Sequence, residues 1–251
     1  LINFLKLYDR RSKIFILGAG SNILFTDEIF DGVVIKLGKN FSNLSILKKE
    51  IVIAGSTTLD KNLSEFACEN NLSGFEFLSC IPGTVGGGIR MNSGCFDREF
   101  KDILLSVQAI DMLGKVITIP KDKIIFSYRE CSLPKDLIFL SASLKGKLSN
   151  KNIIKKKMIS LKKKKEMAQP TRIKTGGSTF KNPIDQTNEK VWKLIKKSVC
   201  LDTKFGDAII SEKHCNFFIN KNNASCEDMK KLVNFVKDEV FSKTGIKLSL
   251  E

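Results

Sequence analysis

The chain has 251 residues and a formal net charge of +15, from 42 Lys and Arg against 27 Asp and Glu. That length supports one large domain or two modest ones with a proper hydrophobic core. With 42% hydrophobic and 27% charged residues, wholesale disorder, a fibrous repeat and a disulfide-stapled miniprotein are excluded. The charge is the one figure far from ordinary, and it is local: residues 151–200 hold 15 Lys or Arg and 3 Asp or Glu, so they carry +12 and the other 201 residues only +3.

Such a stretch calls for an anionic partner or for a lysine-rich solvated surface. Only six of the basic residues are Arg, at 10, 11, 90, 98, 129 and 172, whereas base-edge readers and phosphate clamps favour the bidentate guanidinium, so no nucleic-acid partner is expected. The seven cysteines, at 68, 80, 95, 131, 200, 215 and 226, form no CxxC pair and no zinc spacing, and with His214 as the single histidine no metal site is expected. Reduced thiols and the lack of any apolar run of membrane-spanning length place the chain in the cytoplasm. The start, Leu1-Ile2-Asn3-Phe4, has neither an initiator Met nor a charged signal region and reads as a trimmed chain.

In chain order, Lys13–Leu17, Gly32–Leu37 and Glu50–Ala54 are β-branched or aromatic runs bounded by breakers, and predict strands. Ile23-Leu24-Phe25 is expected to continue as strand. Thr57 with Asp60 three residues on resembles a capping box, and Leu59, Leu63, Phe66 and Ala67 give the helical spacing that follows it. Residues 80–94 hold five glycines and a proline and predict a loop that exposes its backbone. Strands resume at Ile103–Asp111, Lys115–Ile119 and Leu137–Leu144, the first two joined by a hairpin over Met112-Leu113-Gly114. Residues 150–167 predict an amphipathic helix, with Ile154, Met158 and Leu161 on one face and eight lysines around the rest, and mark the domain boundary. A turn at Gly176-Gly177, a helix near Val191–Val199, a strand at Phe217–Asn220 and a helix from Ser225 to about Phe241 complete the chain. Asp228 closes a capping box with Ser225, and Gly245 marks that helix's exit. Strands and helices without regular alternation predict an α+β fold in two lobes.

Three segments carry the chemistry. Leu17-Gly18-Ala19-Gly20-Ser21-Asn22 follows a strand, and its Gly-x-Gly turn lets backbone N–H groups close around a phosphate or simply turns the chain tightly. Ile23 stands where a Rossmann fingerprint needs Gly or Ala, so that fold is disfavoured. Pro82-Gly83-Thr84-Val85-Gly86-Gly87-Gly88 supplies a second surface without protruding side chains, and two such loops suggest a dinucleotide. In Gly176-Gly177-Ser178-Thr179-Phe180-Lys181-Asn182-Pro183 a hydroxyl follows a flexible pair and precedes a cation and an amide. Ser178 can donate a proton there or serve as an ordinary turn serine, and no hydrolase triad surrounds it. Ser211-Glu212-Lys213-His214-Cys215-Asn216 crowds polar groups before an apolar strand, as a site lip or a plain loop does.

These motifs, with Gly74-Phe-Glu-Phe-Leu78, Met91-Asn-Ser-Gly94, Tyr128-Arg129 and Gly245-Ile-Lys-Leu248, run in order through nearly the whole chain. Together they resemble the UDP-N-acetylenolpyruvoylglucosamine reductase family in its shorter type, with both ends trimmed. The resemblance implies a vanillyl-alcohol-oxidase-type FAD-binding lobe over 1–149, the lysine-rich connecting helix over 150–167 and an α+β substrate-binding lobe over 168–251. It implies NADPH as co-substrate, hydride delivery from flavin N5 to C3 of the enolpyruvyl ether, and a proton from Ser178 to C2. Arg129 then stabilises the enolate, and Glu251 is the active-site glutamate. FAD would be held at Gly18, Gly20, Ser21, Asn22, Pro82, Gly83, Thr84, Gly86, Gly87 and Asn92, and the nucleotide sugar would meet Tyr128, Lys181 and Asn182. The chain departs from the family pattern at Gly88 and Cys215, where Ala is usual. On this reading the lysines of 151–200 steer polyanionic small molecules, and the affinity for NADPH and the nucleotide sugar is expected to fall as salt is raised. A KM for either that is unchanged between low and high ionic strength returns those lysines to solvation alone.

Overall fold

The computed structural model describes residues 1–9, 11–171 and 173–251. It divides into two compact units: Leu1–Gly20 with Phe30–Lys164, and Ser21–Ile29 with Lys165–Glu251.

In the first unit a helix, α1 (Ile2–Leu7), precedes the parallel pair β1 (Lys13–Ile16) and β2 (Gly32–Ile35), in register from Lys13↔Gly32 to Ile16↔Ile35. The main sheet contains β3 (Leu44–Lys48) and β4 (Ile51–Gly55), followed by helices α2 (Asp60–Glu69) and α3 (Val85–Arg90). It is completed by β5 (Leu104–Ile110), β6 (Val116–Pro120) and β7 (Ile138–Lys145), in the antiparallel order β3-β4-β7-β5-β6. The β5–β6 hairpin turns as its sequence predicts, with the Asp111 carboxylate accepting from the Leu113 and Lys115 N–H groups and Gly114 at φ +81°. Val52, Ala54, Val107 and Ala142 of the sheet pack with Leu63, Ala67, Phe75, Phe77, Val85, Ile89 and Phe100 in one core, where Phe77 and Phe100 meet edge to face at 6.4 Å.

The helix α4 (Lys151–Ala168) follows the i, i+4 reading: Ile154 and Met158 are buried against Cys68 of α2. Lys151 pairs with Glu69 and Lys157 with the buried Glu76 at 3.5 Å, so part of the lysine run serves local packing. The compact units divide within α4, at Lys164–Lys165.

The second unit is built on β8 (Thr175–Ser178), α5 (Val191–Ser198), β9 (Lys204–Phe205), β10 (Ala208–Ile210), β11 (Phe217–Asn220) and α6 (Cys226–Thr244), with antiparallel strand order β8-β11-β10-β9. Leu194 and Ile195 of α5 and Leu232, Val236 and Val240 of α6 bury their apolar faces with Phe180, Ala208, Ile210 and Phe218. The predicted capping box is present in both directions between Ser225 and Asp228, and Gly245 closes α6 at φ +71°.

Four local expectations are corrected. Residues 85–90 are helix rather than loop. Thr84 caps them, and the glycines permit close packing: a Cβ on Gly88 would stand 2.1 Å from the Phe100 ring, and one on Gly86 would stand 3.1 Å from the Ser56 Cβ. The Phe100 ring therefore accounts for Gly at position 88. Ile23-Leu24-Phe25 forms no strand. Its neighbours are tied by single bonds rather than a ladder, Asn22 Nδ2 donating to the Glu251 carbonyl at 3.1 Å and the Asp27 carboxylate accepting from the Cys226 N–H at 3.0 Å. α2 begins at Asp60 with Leu59, not Thr57, in the capping position. Gly176-Gly177 lies inside β8 as an irregularity between the Thr175↔Ile219 and Ser178↔Phe217 pairs, with Gly177 at φ +91°.

Asp60 is fully buried, and neither carboxylate oxygen has a hydrogen-bond partner among the described residues; the hydroxyls of Ser56, Thr58 and Ser64 share that state. Burial pushes its carboxyl up to about 8 from 3.8. The folded chain therefore keeps this proton over a range in which the unfolded chain releases it, and stability falls as pH rises from about 4 to about 8. Asp60→Asn is expected to flatten that slope, so that its advantage in denaturation midpoint over the parent chain widens from pH 5 to pH 8 (about 3 pH units, on the linkage relation). Parallel midpoint curves for the two proteins would contradict the assignment.

Candidate functional site

In the first unit β1 runs into Leu17, whose N–H donates to the Ile35 carbonyl at 2.9 Å, and Gly20 turns the chain at φ +74°. The second glycine loop lies against this turn: a Cβ on Gly18 would come within 3.1 Å of the Thr84 Oγ1. Main-chain bonds hold the Pro82–Gly86 backbone to the segment after β4. The Asp60 N–H donates to the Gly83 carbonyl at 3.1 Å, the Val85 N–H to Thr58 at 2.9 Å and the Gly86 N–H to Ser56 at 2.8 Å. Thr84 Oγ1 accepts from the Gly87 N–H at 3.4 Å. Pro82 and Gly87 are exposed, and Gly83 and Gly86 are half-buried. Bare, fixed backbone of this kind suits a flat ring system or a pyrophosphate, either of which needs close main-chain approach.

Asn92 behaves differently from the other residues of this group. It is fully buried at φ +40°, its Nδ2 donates to Glu99 Oε2 and to the Ser127 carbonyl, both at 3.0 Å, and its Oδ1 accepts from the Lys101 N–H at 3.1 Å. Its amide knits the backbone behind the loop. Tyr128 and Arg129 form the tip of a two-residue hairpin between the Phe126↔Cys131 and Ser127↔Glu130 pairs. Arg129 stands at φ +60°, a left-handed conformation that costs about 1–2 kcal/mol in a non-glycine residue. Its guanidinium donates to the Gly94 carbonyl at 3.3 Å and stacks 4.9 Å from the Tyr128 ring centre. A strained, half-buried arginine at a hairpin tip is a charged group held in one place.

In the second unit Ser178 ends β8 opposite Phe217. The next residue joins two neighbours: the Thr179 N–H donates to the Asn216 carbonyl at 2.8 Å, and the Thr179 carbonyl accepts from the Glu251 N–H at 3.0 Å. The Lys181 N–H donates to the Ser249 carbonyl at 2.9 Å. One short strip thus sets Thr179, next to Ser178, against Glu251 and sets Lys181 against Ser249, and Ser178, Lys181 and Glu251 are all half-buried. Asn22 joins them through its bond to the Glu251 carbonyl, and Ser21 belongs to the same unit. Asn182 accepts the Val191 N–H at 3.0 Å through Oδ1 and so ties the strip to the start of α5. At the predicted lip, the His214 ring stands edge to face with Phe217 at 5.0 Å, and burial lowers its basicity, favouring the neutral imidazole. Burial also pushes the Cys215 thiol up, away from a reactive thiolate; its Sγ donates to the Trp192 carbonyl at 2.9 Å.

Asp60 and Asn216 are functional-looking buried polar residues that the sequence reading did not single out. Asn216 had only its place in the polar run before β11 as a signal, and Asp60 had none beyond its capping pattern. Among the described residues no group of His, Cys, Asp and Glu has the arrangement of a metal site, and no helix is long and apolar enough to cross a membrane.

Residues 169–251 match the family model described as UDP-N-acetylenolpyruvoylglucosamine reductase, C-terminal domain, and residues 1–120 match an FAD binding domain model. The UDP-N-acetylenolpyruvoylglucosamine reductase of Pelagibacter ubique strain HTCC1062 is 65% identical over all 251 residues, which cover 83% of that protein. That of Rickettsia typhi is 43% identical over the whole chain, covering 84% of it. The crystal structure of UDP-N-acetylenolpyruvylglucosamine reductase from Thermus caldophilus superposes with a TM-score of 0.84 at 31% identity, covering 100% of this chain and 88% of that one.

Proposed function

The chain belongs to the UDP-N-acetylenolpyruvoylglucosamine reductase family, FAD-dependent oxidoreductases of peptidoglycan-precursor synthesis, and on that premise we propose that it reduces UDP-N-acetylglucosamine enolpyruvate to UDP-N-acetylmuramate with NADPH in the cytoplasm. Its fold is the family's α+β, with a vanillyl-alcohol-oxidase-type FAD-binding lobe and a C-terminal α+β lobe. In the division proposed here, 1–149 bind the flavin, 150–167 connect, and 168–251 bind the substrate. The observation that supports the reading is the strip from Ser178 to Lys181, bonded to the chain's last residues through the Glu251 N–H on the Thr179 carbonyl and the Lys181 N–H on the Ser249 carbonyl.

The residues that would hold FAD are the backbone of Gly18, Gly20, Pro82, Gly83, Gly86 and Gly87, the Thr84 hydroxyl, and Ser21 and Asn22. Asn92 acts from behind them, because its amide is engaged with Glu99, Ser127 and Lys101. Held there, FAD would supply the hydride chemistry, from N5 to C3 of the enolpyruvyl group. The negative charge left on C2 spreads into the adjacent carboxylate, and the Ser178 hydroxyl gives its proton to C2. Arg129 opposes the developing charge with a guanidinium that stays protonated at every working pH. Glu251 is the carboxylate of the same site, and Tyr128, Lys181 and Asn182 meet the nucleotide sugar, Lys181 through its charge on the diphosphate.

Purified protein is expected to carry a flavin spectrum that NADPH bleaches and the enolpyruvyl substrate restores. Ser178→Ala should keep the bleaching and lose the restoration by about a thousandfold, since it removes a general acid acting only in the second half-reaction. Equal loss of both half-reactions would take Ser178 out of the proton-donor role, and a protein without substrate-dependent turnover would refute the reading as a whole. Gly18→Val adds side-chain bulk toward Thr84 where the two glycine loops meet and is expected to lower bound flavin per chain severalfold (an overpacking effect of about 1–3 kcal/mol). Unchanged flavin content and affinity would remove this turn from the flavin site.

A further inference from the structure

The strip from Ser178 to Lys181 has the chain's last residues on one side, through the Glu251 and Lys181 bonds, but its other neighbour gives out early. β11 begins at Phe217, opposite Ser178, and before it the chain turns away, the Phe217 N–H closing onto the His214 carbonyl at 2.9 Å. Phe180, 1% exposed, would then have a buried N–H and carbonyl with no strand to meet them. Asn216 meets both: its Oδ1 accepts from the Phe180 N–H at 3.0 Å and its Nδ2 donates to the Phe180 carbonyl at 2.9 Å, while its own carbonyl takes the Thr179 N–H at 2.8 Å. One side chain does the work of a missing strand residue. Asn216 is itself 3% exposed, and the Phe180 ring is locked edge to face on Phe218 at 5.8 Å.

We propose that Asn216 is a positioning residue for the proton-transfer step: its amide fixes the backbone between Ser178 and Lys181 and, through Thr179, the place of Glu251 beside it. This rests on the proposed roles of Ser178 and Glu251. The same unit holds an internal control. Asn220, at the other end of β11, makes the same pair of hydrogen bonds to Ala224, donating to its carbonyl at 3.1 Å and accepting from its N–H at 2.9 Å, away from the strip. Asn220 is half-buried where Asn216 is buried, so a merely structural role predicts that both substitutions lower stability, by different amounts, and that neither singles out one half-reaction. A positioning role predicts that Asn216 does.

In the flavin-bound full chain, Asn216→Ala is expected to slow substrate-dependent flavin reoxidation at least about tenfold in kcat, with KM for the enolpyruvyl substrate and flavin reduction by NADPH changed by no more than about threefold. Asn216→Asp keeps the acceptor but turns a carboxylate on the Phe180 carbonyl, and should lose as much; it takes the place of Asn216→Ala if that variant does not accumulate. Asn220→Ala should leave both half-reactions at parental rates. Amide exchange of the flavin-free chain, read by NMR, should quicken at Phe180 and Glu251 in the Asn216 variants and not in Asn220→Ala. Parental reoxidation in the Asn216 variants, loss of both half-reactions alike in them, or a matching selective loss in Asn220→Ala overturns the proposal. If the parent chain itself never reoxidises with substrate, the functional reading has failed instead, and unchanged exchange at Phe180 and Glu251 would still overturn the positioning claim by itself.

Discussion

The first unit depends on a short run of main-chain hydrogen bonds between Ser56–Asp60 and Gly83–Gly86. On one side the run continues into β4, whose Val52 and Ala54 are fully buried in the sheet. On the other it sets where α3 starts, with Thr84 as its cap, and the turn around Gly18 comes to rest on the same Thr84. Because the bonds use only backbone, nothing has to protrude from the loop, and the glycines can pack inward on Ser56 and Phe100 while Pro82 and Gly87 stay open. The close approach has a cost. It seals Ser56, Thr58, Asp60 and Ser64 away from water with side-chain polar atoms that have no hydrogen-bond partner among the described residues, the state that a folded core normally avoids. Such strain persists where surrounding structure over-determines it.

The second unit solves a related problem with a side chain. Its working strip is also held by its backbone, but the strand that should flank it ends one residue too soon, and the Asn216 amide extends the ladder. In both units main-chain hydrogen bonds hold the segment in place, at Gly83–Gly86 in the first and at Thr179 and Lys181 in the second. Part of the lysine surplus is likewise engaged locally: Lys151 and Lys157 of α4 meet Glu69 and Glu76, and Lys197 of α5 meets Glu189 at 2.6 Å.

What the sequence made legible was local. The Ser225–Asp228 box, the αL exit at Gly245, the hairpin over Met112-Leu113-Gly114 and the Ile154 and Met158 positions of α4 are each decided within one or two turns of chain, and each is present, whereas Leu161 of the same face is only half-buried. The glycines of 86–88 read as loop because what they accommodate, Ser56 and the Phe100 ring, is distant in sequence. Ile23-Leu24-Phe25 read as strand because an apolar triplet says nothing of whether a partner strand exists. Ser178, Arg129 and Glu251 were ordinary polar residues until the ordered series of motifs gave them a family context. Asp60 and Asn216 stayed hidden because their significance is burial, a property of the assembled fold.

The excursion of Ser21–Ile29 alters what a domain means in this chain. The backbone leaves the first unit after Gly20, contributes nine residues to the second and returns at Phe30, before α4 carries it across again. The two units are therefore stitched at three points, and no single scission separates them as intact bodies. A fragment beginning at Lys165 would start α6 without the Asp27 carboxylate at its first N–H and leave the Glu251 carbonyl without Asn22. Shuffling the C-terminal lobe between relatives consequently means exchanging a segment from near the N-terminus along with it.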